Sequence, residues 1–495
     1  MLKKIASNTI AQILSKVGTA IISIFLISIL TNYLTVELYG LYLKVYNYIG
    51  IFVFLADLWL YTIAIREISA NKKNTKKIVW NVMSLRTILA FIIFWSALGI
   101  AYFLPGYNDP LALWSIGIVC VFTLFQLINS SILTLMQANM KIEYSLFSAI
   151  VWKIINVLLV AWIALFWFTE NPSQWEYFEP FLWIIWASVV AIFINTLLNY
   201  FYAKKIENFW FEFDWEYIKY IIKISLPYGI ALFLSIVYFK VDIILLSLLD
   251  PAWDKSVALY SLPMKIVEVI MVLWGFYLNS VLPSLTQKYE KSDLQWVNKL
   301  LDISFRVLFS AGLLIFVLGV LFRDSMIEII ANRDYLDTTH MFNSSDAFLV
   351  VFAVVLFHFI SLVFIYTLIA TKNQSQLLRI NIIVTVFNIV WNILLIPHLS
   401  FIWAGIVTFL SQIILMWLWY YYSRQYVHFH FSIKFILSNI FFSLWAFIVG
   451  YCLIKNFHLW LYSDLLLYGW FIFAVYMGFF YFSFRDIIQK KRLES

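Results

Sequence analysis

Charge is scarce in this chain. Only 12% of its 495 residues are Asp, Glu, Lys or Arg, and 63% are apolar. An ordinary soluble protein carries about 25% charged residues. A water-soluble fold of this length has too little interior to hide so much apolar side chain, which excludes a soluble single-domain protein. Cysteine is scarcer still. Cys120 and Cys452 both lie in apolar runs, so a disulfide framework and a cysteine metal motif are excluded. No small-residue cleavage site follows the first apolar run, Thr9 to Thr31, which therefore reads as a retained helix rather than a signal peptide. Long polar loops are also lacking, which leaves no room for a soluble catalytic domain. What the chain does have is aromatic residues, 20% of the total. Trp and Tyr favour the two interfaces of a bilayer.

A spanning helix needs about 20 mainly apolar residues. Such stretches occur at 9–31, 39–65, 78–103, 111–136, 146–168, 180–202, 224–248, 258–283, 304–322, 347–370, 380–396, 401–422, 434–454 and 465–484. The pattern predicts an all-α polytopic membrane protein with about 14 transmembrane helices. The stretch at 380–396 is the shortest and weakest.

Lys and Arg collect on the cytoplasmic side of a membrane protein. With the N-terminus inside, inner segments hold 23 of the 34 basic residues. Outer loops hold Lys255, Arg323, Arg333 and Lys455. This asymmetry predicts cytoplasmic N- and C-termini in the cell inner membrane. It also explains the net charge of +7 through anionic lipid headgroups, without nucleic acid. The inner segment 204–223 mixes aromatics with both signs of charge, and reads as a linker or an interfacial helix.

The chain echoes itself. VELYGLYLKV (36–45) matches VALYSLPMKI (257–266) at six of ten positions, among them Tyr39/Tyr260 and Lys44/Lys265. Asn156 and Asn388 each lie fifteen residues behind a member of a second echo, Lys141 in LMQANMKI and Asn373 in IATKNQSQ. Both echoes run in the same direction. They predict an N-terminal six-helix lobe at 1–203 and a C-terminal six-helix lobe at 224–425. Two additional helices and a cytoplasmic tail follow at 426–495. Parallel repeats of this kind build alternating-access transporters, with the substrate site between them.

Charges inside spans cost at least about 2.5–3.5 kcal/mol each at the bilayer centre, and so call for a reason. Lys16, Lys153, Lys240 and Lys265 are candidates for a cationic cavity that accepts an anionic substrate. Asp57, Asp242 and Glu268 are candidates for a coupling ion or for ion pairs. Counting at about 1.5 Å per residue, Lys16 and Asp57 lie at similar depth on adjacent helices, which suggests a pair. Glu268 is at i+3 from Lys265, on one helix face. Lys44, Arg86 and Arg306 lie close enough to a membrane face to snorkel. Structural pairing and snorkelling compete with the cavity reading for every one of these residues.

Several segments resemble the Wzx-type polysaccharide (O-antigen and capsule) flippases of the multidrug/oligosaccharidyl-lipid/polysaccharide exporter superfamily. They are NTIAQILSKVGTAIISIFLISILT, ELYGLYLKVYNYIGIF, and DLWLYTIAIREIS with Arg66 and Glu67. In the second half, ATKNQSQLLRINIIVTVFNIVWNILLIP carries Asn388, Asn392 and Pro397, and FIWAGIVTF keeps Ala404 and Gly405. The usual Gly at the start of that last turn is lacking. The resemblance covers about residues 5 to 425. It implies two six-helix lobes, a cationic lumen, and helices 1, 2, 7 and 8 around a lateral portal. It implies a lipid-linked oligosaccharide substrate (undecaprenyl diphosphate carrying the sugars), with a polysaccharide polymerase and a chain-length regulator as further partners. No catalytic residue, metal or cofactor is expected, though a proton or sodium gradient would couple to transport. Trp59, Tyr61, Trp274 and Tyr277 would stack on sugars or pack against lipid.

Two other functions compete. A cation-coupled multidrug exporter would want an acidic, aromatic lumen, which the lysines oppose. A membrane enzyme such as a polysaccharide polymerase would want clustered outer carboxylates. Glu170, Glu176 and Glu179 lie together without a metal-binding pattern.

Overall fold

The structure is a computed structural model. It describes residues 2–57, 60–70, 74–139, 143–167, 178–206, 213–250, 252–337, 342–429, 431–456 and 464–480. Regular structure among these residues is entirely helical. Nine of the helices are long and apolar enough to cross a membrane. The chain packs into two compact units, Met1–Ala258 and Leu259–Ser495.

The first unit holds α1 (Leu2–Tyr33), α2 (Val36–Asp57), α3 (Leu60–Ala70), α4 (Thr75–Phe103), α5 (Pro110–Ala138), α6 (Glu143–Trp167), α7 (Phe178–Lys204) and α8 (Trp215–Leu249). Within the stretch expected as one span at 39–65, α2 is described up to Asp57 and α3 from Leu60, and residues 58 and 59 lie outside the described residues. Asp109 caps α5 by accepting from the Leu111 and Ala112 amides, and Pro110 supplies the preset φ of a first helical position. α1 packs on α6, α7 packs on α5 and α6, and α2 packs on α4, α5 and α8. Polar side chains tie these apolar helices together. The Asn199 amide donates to Asn129 on α5 at 2.8 Å, and its carbonyl accepts from Ser148 on α6 at 2.6 Å. In a bilayer such interhelical bonds replace the missing hydrophobic drive between helices.

The segment 204–223 is not a separate interfacial helix over its second half. From Trp215 it is continuous with α8. Asp214 caps the helix by accepting from Tyr217 N, and it also forms an ion pair with Lys77 of α4. The first turns are amphipathic. Ile218 and Ile221 join a buried cluster with Leu60, Ile78 and Leu135, while Trp215 and Tyr220 stay exposed. The echo divides the chain after residue 203, whereas packing holds α8 against α2 and α4.

The second unit takes most of α9 (Trp253–Glu290). It continues with α10 (Leu294–Leu321), α11 (Arg323–Ile330), α12 (Ser344–Ala370), α13 (Gln374–Ser423), α14 (Ile433–Asn456) and α15 (Asp464–Phe480). α11 and a 3-10 turn at Arg333–Leu336 occupy the long loop between the spans of α10 and α12. α12 opens on a full capping box between Asn343 and Asp346. It packs on α10 and α13, and α14 packs on α10.

α13 has 50 residues and would be about 75 Å long if straight, against a hydrocarbon core of about 30 Å. It is not straight. Pro397 precedes non-helical backbone at Leu399 and Ser400, where φ reaches 61°. Asn388 donates to Ser411 at 3.4 Å, and the two residues are nearly equidistant from the break. The two limbs therefore lie side by side as a hairpin, matching the two stretches expected at 380–396 and 401–422.

Candidate functional site

Asp57 is the last described residue of α2, and its carboxylate meets Arg86 of α4 at 2.5 Å. Arg86 also donates to Ser131 of α5 at 2.7 Å and is only 1% exposed. The expectation that Arg86 snorkels is therefore corrected. It stands about 16 Å along α4 from Thr75, level with Asp57, so pairing there offsets the desolvation of both charges. A coupling ion at Asp57 would have to compete with a guanidinium already in place. The Lys16 side chain, the other partner considered for Asp57, lies outside the described residues.

Lys44 also departs from the snorkelling expectation. Its ammonium is 1% exposed, 2.6 Å from the Asp254 carboxylate at the start of α9, and donates to the Gly106 carbonyl at 2.7 Å. The Tyr107 ring lies 5.2 Å away, and the Tyr107 hydroxyl bonds Ser247 at 2.7 Å. The close approach is made possible by glycine. A Cβ at Gly40 would stand 1.7 Å from the Asp254 carbonyl oxygen, and Gly106 has φ of 75°. Three turns thus meet at one end of the first unit: 34–35, 104–109 and the one closed by the Ala252 and Trp253 amides on Asp250.

Lys240 lies nine residues before the end of α8 and donates to Asn47 of α2 at 2.7 Å. Its aliphatic stem runs along Gly50, where a Cβ would come within 3.3 Å of Lys240 Cε. Asp242, two residues on, is buried. The two positions are separated by about 200° around the helix and face different ways. Lys153 of α6 donates to Ser23 of α1 at 3.1 Å and stands 4.9 Å from the Trp152 ring. In the second unit, Lys265 pairs with Glu268 at 2.7 Å, as the i+3 spacing predicts, with Lys265 27% and Glu268 54% exposed. Lys153, Lys240 and Lys265 are each partly accessible, unlike Lys44 and Arg86.

The Lys44–Asp254 and Asp57–Arg86 pairs are the features that sequence reasoning missed. A depth count from Thr75 would have placed Arg86 level with Asp57. Nothing local in the sequence ties Lys44 to Asp254, which lies 210 residues away. Trp59, Glu170 and Glu176 lie outside the described residues, as do the side chains of Tyr61, Trp274 and Tyr277. Among the described residues no group of His, Cys, Asp and Glu is placed to hold a metal ion.

Residues 5–289, more than half of the chain, match the model of the family described as polysaccharide biosynthesis protein. The chain belongs to the polysaccharide biosynthesis protein family. Residues 227–394 also match the MatE family model. A search of curated proteins finds no match. Among solved structures, the lipid II flippase MurJ in an inward closed conformation superposes with a TM-score of 0.74 at 16% identity, covering 98% of this chain and 100% of that one. An inward-facing multidrug resistance MATE family transporter of the MOP superfamily gives 0.63 at 12% identity, covering 82% and 94%. A MOP superfamily transporter from Pyrococcus furiosus gives 0.59 at 10%, covering 86% and 95%. At these identities the likeness carries the fold alone. That fold is the one used by alternating-access flippases and exporters. As a member of the polysaccharide biosynthesis protein family with this fold, the chain is of the transporter type and not catalytic.

Proposed function

We propose that the chain flips undecaprenyl-diphosphate-linked oligosaccharide from the cytoplasmic to the outer leaflet of the inner membrane for surface polysaccharide synthesis. The observation that carries this reading is membership of the polysaccharide biosynthesis protein family over residues 5–289. The balance of charge within the spans supports it. Beyond the sealed pairs of Lys44 with Asp254 and Arg86 with Asp57, five cations (Lys16, Lys153, Lys240, Lys265 and Arg306) stand against two carboxylates (Asp242 and Glu268). A diphosphate needs such a surplus, and a cationic drug is repelled by it. The first twelve spans form two six-helix lobes around the path of the sugar head, while the polyprenyl tail stays in lipid. Lys16, Lys153, Lys240 and Lys265 hold the diphosphate in turn. Asp57, Asp242 and Glu268 serve coupling or pairing. The 23-to-4 distribution of basic residues supports cytoplasmic termini. A polymerase and a chain-length regulator act on the product at the outer face.

Lys240→Ala combined with Lys265→Ala tests the reading. The double variant is expected to reach the membrane at normal level and to abolish surface polysaccharide. Normal export by that variant removes the cationic site. The MatE match over 227–394 supports one second reading, a cation-coupled multidrug exporter. It predicts that deletion of the gene sensitises cells to cationic drugs and leaves surface polysaccharide intact.

A further inference from the structure

The three turns that meet around Lys44 enclose a cavity of about 590 Å³. Ligand sites range over roughly 300–1,000 Å³. Thr35, Glu37, Asn108, Asp109, Trp253 and Asp254 supply the polar and aromatic part of its wall. Trp253 is the unusual member. Its backbone has φ of 39°, a left-handed conformation that bulky residues rarely adopt and that costs about 1–3 kcal/mol. The ring is nevertheless 43% exposed. It lies close enough to Gly106 that a Cβ there would come within 3.0 Å of the ring carbon Cε3. The fold thus holds an indole at the cavity wall at a conformational cost, on a residue that leaves room for it.

The charge of the cavity is the second observation. Glu37, Asp109 and Asp254 face one cation, Lys44, whose ammonium is already engaged by Asp254 and the Gly106 carbonyl. One oxygen of Asp109 caps α5, so capping leaves its other oxygen as an acceptor. Burial raises the Asp254 carboxyl above its ordinary value, with the Lys44 charge opposing that shift. An aromatic face beside several carboxylate and amide groups matches the apolar face and hydroxyl donors of a sugar ring. The same carboxylates repel diphosphate and uronic acids.

We propose that this cavity binds a neutral or amino sugar of the substrate's oligosaccharide, with Trp253 as the stacking platform and Glu37 and Asp109 as hydroxyl acceptors. The proposal rests on the flippase reading for the side it faces. On that reading the three turns are outer turns, and the cavity receives the sugar at release.

The test uses the purified full-length protein and the repeat-unit oligosaccharide freed by mild acid from the surface polysaccharide of the source cells. Saturation-transfer NMR is expected to show binding by the wild type. Trp253→Ala should cut the signal at least about five-fold, and Glu37→Gln about two- to three-fold. Trp253→Phe should keep most of the signal, and Trp417→Ala, on an exposed stretch of α13, should match the wild type. Inorganic diphosphate should not compete. Absence of binding by the wild type overturns the proposal. So does undiminished binding by Trp253→Ala and Glu37→Gln, or competition by diphosphate. Trp253→Ala is scored only if its thermal melt matches the wild type, and Glu37→Gln decides otherwise. Gene deletion scored on surface polysaccharide tests the flippase reading separately, so the two can fail independently.

Discussion

The echoed segments 36–45 and 257–266 carry the same pattern into different roles. Tyr39 and Tyr260 are equally buried, and so are Val36 and Val257. The helix core thus repeats. The lysines do not. Lys44 is sealed against Asp254, whereas Lys265 is partly accessible beside Glu268. Three residues before each segment the sequence differs as well: Asp254 precedes one and Tyr33 the other. A lysine inside a membrane is a strut or a working charge according to what the neighbouring helix supplies. A second pair of positions shows the opposite behaviour. Asn156 accepts from Ser188 on α7 at 3.2 Å, and Asn388 donates to Ser411 on the second limb of α13. Each asparagine bonds a serine on the helix that follows it, so neutral polar contacts persist where charges have diverged.

The sharpest way to break this contrast is at Lys44. Lys44→Ala leaves the Asp254 carboxylate without its cation and should cost about 3 kcal/mol, the low end for a broken buried pair because Asp254 is partly exposed. Thermal melting in detergent would register it. Lys265→Ala is the matching probe. It should lose export while stability changes by no more than about 1 kcal/mol, as for other accessible pairs. Equal destabilisation by the two variants would erase the distinction. Asn156→Ala and Asn388→Ala sharpen the other half of the comparison. Each should cost about 1 kcal/mol, and a cost at only one of them would argue against equivalent positions.

The smallest effect is at the start of α8. Lys77, together with the Tyr217 amide, holds the Asp214 carboxyl below its ordinary value. A depressed carboxylate contributes stability above its unfolded pKa and loses that contribution as pH falls through the folded value. The Lys77–Asp214 tether should therefore survive acidification below about pH 4. A spin label at Tyr220 should stay immobilised there, and Asp214→Asn should free it at neutral pH.

Much of the fold was legible because membrane insertion reads apolar length, and apolar length is written locally. The spans at 111–136 and 434–454 fall within two residues of α5 and α14 at each end. Long-range pairing is not written locally. The continuity of α8 through Trp215 and the partners of Arg86 and Lys44 depend on helices far off in sequence. The i+3 pair at Lys265 was legible because a single helix determines it.

The hairpin of α13 bears on how the protein is made. Its first limb is the shortest of the expected spans and carries three asparagines, Asn381, Asn388 and Asn392. The turn at Leu399–Ser400 and the bond from Asn388 to Ser411 let the two limbs enter side by side, as one unit. The pair then adds two crossings or none. An even step preserves the side on which every later segment emerges, so an error in biogenesis at this point would not invert α14 and α15.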